Sequence, residues 1–197
     1  MKIIKAETAQ KKIIEALQVR IDNAPNSNFA DNMRAELSQF SKPQALAVIE
    51  ALQALNVDML ALSKRVAVHD KADKENYIAI YALQKVRKAM FALALKTVTG
   101  FDKYSHSIIK NLANLQALDN LNAQRSICSR IELDELQQAQ AVKVYHNCSP
   151  STASTQASST RMMLQALNVC NVSKGSKADS ISFTDSDISK AVQALYA

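Results

Sequence analysis

The chain is 197 residues long, enough for one or two domains with a sizeable core. Apolar residues make up 48% and aromatics 5%, which excludes disorder throughout and leaves a core of Leu, Ile, Val, Ala and Met. The net charge of +6 permits an anionic partner without demanding one, and the scarcity of glycine (Gly100 and Gly175 only) excludes dinucleotide-binding turns, phosphate-cradling loops and a glycine-flanked nucleophile elbow.

In chain order, Ile3, Ile4, Ile13, Ile14, Leu17 and Ile21 fall largely on one side of a helix over 3–21, with lysines opposite. "NAPNSN" (23–28) breaks it, and a short helix over about 29–40 follows. "SKPQ" (41–44) reads as a helix start: Ser41 caps, Pro43 suits the first turn, and Gln44 completes a capping box. One long helix is expected from there to about Val68, carried by Leu46, Ile49, Leu52, Leu55, Leu60 and Leu62. After the polar break "HDKADKEN" (69–76), residues 77–98 are apolar on most of their circumference. That predicts the central helix, ended by Gly100. Asp102 is expected to cap a helix over about 103–118. "LDNLN" interrupts, a helix follows through "AQRSICSRI", and "LDELQQAQAVKVYH" (133–146) is helical again. "LQAL" recurs at 52, 115 and 164 without a fixed period and reflects composition, not a repeat.

The composition then changes. Ser149-Pro150 is a helix start, with Ser at the cap and Pro at the first helical position. Ala153, Ala157, Thr160, Leu164 and Leu167 form one apolar stripe, and Ser151, Thr152, Thr155, Ser158 and Ser159 lie opposite. A face meant only for solvent usually carries Lys and Glu. Short hydroxyl residues are poorer helix formers, and what they offer is close approach and hydrogen bonding. Asn168 suits the left-handed end of this helix. "CNVSKGSKADSISFT" reads as a hairpin, with Val172 before the turn, Gly175 in it, and Ile181 and Phe183 alternating after it. Thr184 and Asp187 form a capping-box-like start for a last helix, "DISKAVQALY".

Helix, helix, hairpin, helix in this order resembles the winged helix-turn-helix domain of prokaryotic transcription regulators, over roughly residues 121–197. In that family the recognition helix opens with Ser-Pro-Ser-Thr, as in "NCSPST" here. It leaves through a Leu-x-x-Leu-Gly-Leu-like run, "LQALNVCNV" here, into a two-stranded wing. Asn147 stands at the family's turn glycine, Cys148 at an apolar position, Asn168 at the second glycine, and Lys143 where a small Ala packs between helices. The resemblance implies a DNA-binding surface. Ser151, Thr152, Thr155 and Ser159 would meet phosphates or bases, with the one basic residue of the helix, Arg161, beside them. Gln156 would pair with adenine, and the wing residues Lys174 and Lys177 would meet phosphates.

Other constellations carry less. His146 and Cys148 with Cys128 and Cys170 lack the close ligand pairs of a zinc site, and lone cysteines behave as small buried hydrophobes. Cys128 with His106 or His146 has no loop to supply an oxyanion hole. Asp70 with Asp73, and Glu132 with Asp134 and Glu135, sit beside lysines or at helix starts and read as capping and surface charge. Lys85, Arg87 and Lys88 in "LQKVRKAMF" read first as the wet edge of a helix and second as a phosphate-contacting patch.

The expected fold class is mainly α, with a helical bundle over 1–120 for oligomerisation or partner contact. A winged-helix-like unit with one small β-hairpin follows over 121–197. The expected function is that of a non-enzymatic, oligomeric DNA-binding protein without metal or cofactor, a regulator or a replication or packaging accessory. It would self-associate through its N-terminal helices and hold two recognition helices about one turn of duplex DNA apart. The alternative is a structural or assembly protein, a scaffold- or capsid-associated factor of a virus or mobile element, whose hydroxyl-rich helix meets a protein partner. No apolar run reaches about 18 residues, so no membrane span is expected. "MKIIKAETAQKKII" lacks the core of a signal peptide, and the odd cysteine count suits a reducing compartment. Both point to the cytoplasm.

Overall fold

The computed structural model describes residues 4–73, 76–115, 117–118, 149–174 and 179–197. The expected helices through "AQRSICSRI" and over 133–146, with Cys128, His146 and Cys148, lie outside the described residues. The chain is mainly helical: α1 (Ala6–Asp22), α2 (Ser27–Phe40), α3 (Gln44–Ala54), α4 (Met59–Ala67), α5 (Ile80–Ala94), a single 3-10 turn (Val98–Gly100) and α6 (Lys103–Leu115). A short strand β1 (Ala117–Leu118) follows, and then α7 (Pro150–Ala166), the hairpin β2 (Cys170–Lys174) and β3 (Asp179–Phe183), and α8 (Asp187–Tyr196). Among the described residues no helix is long and apolar enough to cross a membrane.

Among the described residues three helices end in the same way, and none of the three uses glycine. Asn56, Lys96 and Asn168 have φ of 57°, 50° and 57°, the left-handed conformation. After each, the next amide reaches back five residues to close the last turn: Val57 to the Leu52 carbonyl (3.1 Å), Thr97 to Ala92 (2.9 Å) and Val169 to Leu164 (2.8 Å). Two expectations are corrected here. The single helix expected from Gln44 to Val68 is two, because Asn56 terminates α3 and the Asp58 carboxylate accepts the Ala61 amide to cap α4. The terminator of α5 is Lys96, not Gly100. Glycine at 100 answers a different need. A Cβ there would lie 2.8 Å from the Ala92 Cβ, so the 3-10 turn lies against α5 only because that side chain is absent.

Two caps also differ from expectation. Ser41 donates its hydroxyl to the Leu37 carbonyl (2.9 Å) and so closes α2; α3 has no side-chain cap. Ser186, not Thr184, caps α8 by accepting the Ser189 amide (3.2 Å). Asp102 behaves as read from the sequence, accepting the Tyr104 and Ser105 amides at 3.2 Å each.

α1 packs on α2, α3 and α4, and α5 packs on α2, α3 and α7. α7 also lies on α6 and β2, and α8 on α6. One buried cluster runs from Ile13 and Leu17 through Ile49, Leu83 and Met90 to Leu164, Ile181 and Val192. The segments on either side of residue 120 therefore share a core among the described residues. The sheet order is β1-β3-β2, antiparallel throughout, with Leu118 and Val172 both opposite Ile181. The helix expected over 103–118 stops at Leu115, and Ala117–Leu118 instead brace the hairpin from its β3 side.

Candidate nucleic-acid interface

α7 is fixed at both ends and along one side. Ser149 accepts the Thr152 amide at the N-terminus, with Pro150 in the first turn, as the sequence predicts. At the C-terminus, Arg65 donates to the Gln165 carbonyl (3.5 Å). The Asn168 carbonyl accepts from the hydroxyls of Thr184 (2.7 Å) and Ser186 (2.8 Å). The helix exit is thereby tied to the start of α8.

Along its inner side, Ala157, Thr160, Leu164 and Leu167 are buried, as the apolar stripe requires. Thr160 also meets a polar network. Lys85 of α5 donates to Asp102 Oδ1 (2.6 Å) and to the Ser105 hydroxyl (3.1 Å), and the Ser105 and Thr160 hydroxyls are 3.0 Å apart. Burial pushes the Asp102 carboxyl up. The Lys85 ammonium and the hydrogen bonds from Lys85 and Ser105 outweigh that and hold it below the usual carboxylate range. The network links α5, α6 and α7 through one charged pair and two hydroxyls.

The exposed row of α7 is rotated from the one read in the sequence. Ser151, Thr155 and Gln165 are exposed, and Ser154, Ser158 and Met162 lie half-buried between them. Thr152 and Arg161 are half-buried on the flanks. Ser159 is a correction: it is buried, 3% exposed, and its hydroxyl donates to the Gln156 carbonyl (3.1 Å). Gln156 is the second. It turns away from Ser151 and Thr155 to line a cavity between α5, α6 and α7, together with Tyr81, Lys88 and Lys103. The cause is that α7 packs on two helices, α5 and α6, so its buried arc extends one row beyond the predicted stripe, to Ser159 and Met163. Gln165, which the sequence reading did not select, is the amide that belongs to the exposed row.

The hairpin has the expected register, with Cys170 opposite Phe183 and Lys174 opposite Asp179. Lys174 ends β2; Gly175 and Lys177 lie outside the described residues. Cys170 is buried and free, and burial pushes its thiol up to about 12, so it is inert as a nucleophile. The basic trio of α5 divides. Lys85 is committed to Asp102, Arg87 holds Glu36 (2.6 Å), and Lys88 is exposed. Among the described residues, no three His, Cys, Asp or Glu side chains are grouped closely enough to hold a metal ion.

Comparison of the chain with protein-family models, with curated proteins and with solved structures gave no match.

Proposed function

We propose that this chain is a non-enzymatic DNA-binding protein that meets duplex DNA with the exposed row of α7 and with the β2–β3 hairpin as a wing. The observation that carries the reading is that row itself. Ser151, Ser154, Thr155 and Ser158 present short hydroxyls on a helix held at both ends, leading directly into a hairpin braced by a third strand. Small hydrogen-bonding side chains let a helix approach phosphates and base edges closely, and a braced hairpin keeps a fixed angle to that helix. Gln165 on the same row is suited to a bidentate contact with adenine. The bundle α1–α5 would pair two copies so that their α7 helices fall about one DNA turn apart.

A gel-shift series of the whole chain with random duplex, at two salt concentrations, tests this. Retardation at about 50 mM salt should fall with a log–log slope of about −0.9 for each phosphate neutralised. Thr155→Glu, at an exposed position, should abolish it with the fold intact by circular dichroism. Light scattering should give a dimer or larger assembly.

One observation favours a second reading. The exposed row carries no cation, and the only basic side chain of α7, Arg161, is half-buried. A neutral hydroxyl face also suits a protein partner, as in a scaffold- or capsid-associated assembly factor. No retardation at about 50 mM salt and micromolar protein, together with loss of co-assembly in Thr155→Glu, selects that reading over DNA.

A further inference from the structure

The exposed row of α7 ends at Gln165, and a polar cleft of about 390 Å³ opens beside it. Three elements meet there. α4 contributes Arg65, the exit of α7 contributes Gln165 and Asn168, and β2 contributes Asn171, with Asn76 from the connection before α5.

Arg65 is the only cation of the lining. It is half-buried and pairs with no carboxylate among the described residues. Burial lowers its pKa and no charge acts the other way, yet a guanidinium remains charged under such conditions. Its one hydrogen bond, from Nη1 to the Gln165 carbonyl, is long at 3.5 Å, and that carbonyl already accepts the Asn168 amide at 3.1 Å. Nε is buried beyond the reach of a ligand; Nη2 has no partner among the described residues and is not shut off from solvent. The end of the fork is therefore available.

The amides around it are available too. Gln165, Asn168 and Asn171 are exposed, and none of the three side chains makes a hydrogen bond among the described residues. Each carries an NH₂ donor. Asn76 is engaged with Asp73 (3.2 Å). No Asp or Glu lines the cleft. Arg65 also borders the cavity between α4 and α8, whose carboxylates are taken: Asp58 by the Ala61 amide, Asp187 by Asn56 (2.6 Å) and Asp185 by Lys190 (2.8 Å).

A partly desolvated cation without a counter-charge gains most from an anion that brings its own acceptors. A guanidinium edge with amide donors on the other sides fits a tetrahedral oxyanion, whose oxygens point in several directions. We infer that this cleft holds one phosphate group, gripped by Nη1 and Nη2 of Arg65 and by the Asn168 and Asn171 amides. The phosphate belongs to the backbone of duplex DNA or is free phosphate, which share this chemistry. The first source rests on the DNA reading above and deepens it. The exposed row of α7 has no cation of its own, and Arg65 supplies one from α4 at the end of that row, beside Gln165. A phosphate fixed there sets the register of α7 along the groove.

The test measures duplex binding by the whole chain against salt, for the wild type and for variants of the cleft. Arg65→Gln should weaken binding to every duplex sequence roughly ten- to a hundredfold, as for a lost hydrogen-bonded charge, and flatten the log–log slope by about 0.9. Arg65→Lys should keep the slope and recover only part of the affinity. Asn171→Asp places a like-charge repulsion in the cleft from an exposed position, and should weaken binding at least about tenfold with the fold intact by circular dichroism. It keeps the test decisive if Arg65→Gln does not fold. Duplex binding by the wild type with unchanged affinity in Asn171→Asp overturns the inference and leaves the DNA reading standing. Where the wild type binds no duplex, the DNA reading falls, and titration of the ¹⁵N-labelled chain with inorganic phosphate decides the cleft alone. Saturable shifts at the Gln165, Asn168 and Asn171 side-chain amides that vanish in Asn171→Asp assign it to free phosphate. No saturable shifts at millimolar phosphate, or shifts confined elsewhere, overturn the inference as well.

Discussion

Two cations are buried among the described residues, and they are accommodated in opposite ways. Arg20, in the N-terminal helices, is wholly buried and pairs with no carboxylate among the described residues. It donates to the Val68 carbonyl (2.6 Å) and the Ile78 carbonyl (3.0 Å) and lies between the rings of Phe29 and Tyr77, 5.4 and 5.0 Å from their centroids. Burial lowers its pKa, with Tyr77 acting the other way, and a guanidinium remains charged under such conditions. Lys85, at the junction with α7, is 5% exposed and has a full counter-charge in Asp102. The difference follows from the two head groups. A guanidinium spreads its charge over a flat, weakly hydrated fork that carbonyls and π-faces can satisfy. An ammonium is compact and strongly hydrated, and it needs an anion when water is removed. Arg20 closes the connection between α4 and α5, whereas Lys85 fastens the helix that carries the candidate interface.

The contrast is sharpest in Lys85→Met, which leaves Asp102 buried without its counter-charge. Urea unfolding should show a loss of about 3–5 kcal/mol, the largest of the changes considered. A loss smaller than that of Arg20→Met would break the distinction. The pair should also be visible in the acid limb of stability. Asp102 has a folded-state pKa below its unfolded one, so the unfolded chain takes up the proton first. The contribution is complete above about pH 4 and is lost as pH falls through the depressed folded value. Stability against pH should slope there in the wild type and flatten in Lys85→Met.

Arg20→Met comes next. It leaves two carbonyls without donors but no isolated charge, and should cost roughly 1.5–3 kcal/mol, the range for hydrogen bonds to charged groups. Hydrogen exchange should quicken near Val68 and Ile78. Arg20→Lys should recover little, because one ammonium lacks the flat fork that reaches both carbonyls between two rings. Thr160→Val removes the last hydroxyl of the Lys85 network and should cost about 0.5–1.5 kcal/mol in the same assay. Thr155→Ala, on the opposite face of α7, should stay within about 0.5 kcal/mol of the wild type. An equal loss for Thr160→Val and Thr155→Ala would mean that the network does not hold the helix.

What could be read from the sequence follows from the range of each interaction. The Ser149 cap, the left-handed Asn168, the Asp102 cap and the hairpin around Val172 and Ile181 are set by neighbours a few residues away, and all four are present. The break at Asn56 was hidden because the apolar rhythm runs on through Leu55, Val57 and Leu60 with no glycine or proline to interrupt it. β1 was hidden because two residues of an "LQAL" string pair with Ile181 and Ser182, more than sixty positions on. The faces of Ser159 and Gln156 were misjudged for a third reason: a stripe drawn for one packing partner is too narrow when there are two. No local signal says that Lys85 faces Asp102 or that Arg20 faces two carbonyls, since those are properties of the assembled helices.

The contact between Gly100 and Ala92 has a consequence for how this sequence can vary. The two positions together have room for one methyl group. Growth at either needs shrinkage at the other, and Ala92 can shrink only to glycine, so the permitted exchanges nearly end at swapping the pair. Any larger substitution must lift the 3-10 turn from α5. Asp102 lies two residues beyond Gly100, and Lys85 lies two turns before Ala92 on the helix being vacated. The 2.6 Å ion pair would open with the turn. Descendants of this chain should therefore drift freely along the outer row of α7 while the 92/100 pair stays small, a covariation that sequence sampling under selection for folding alone would reveal.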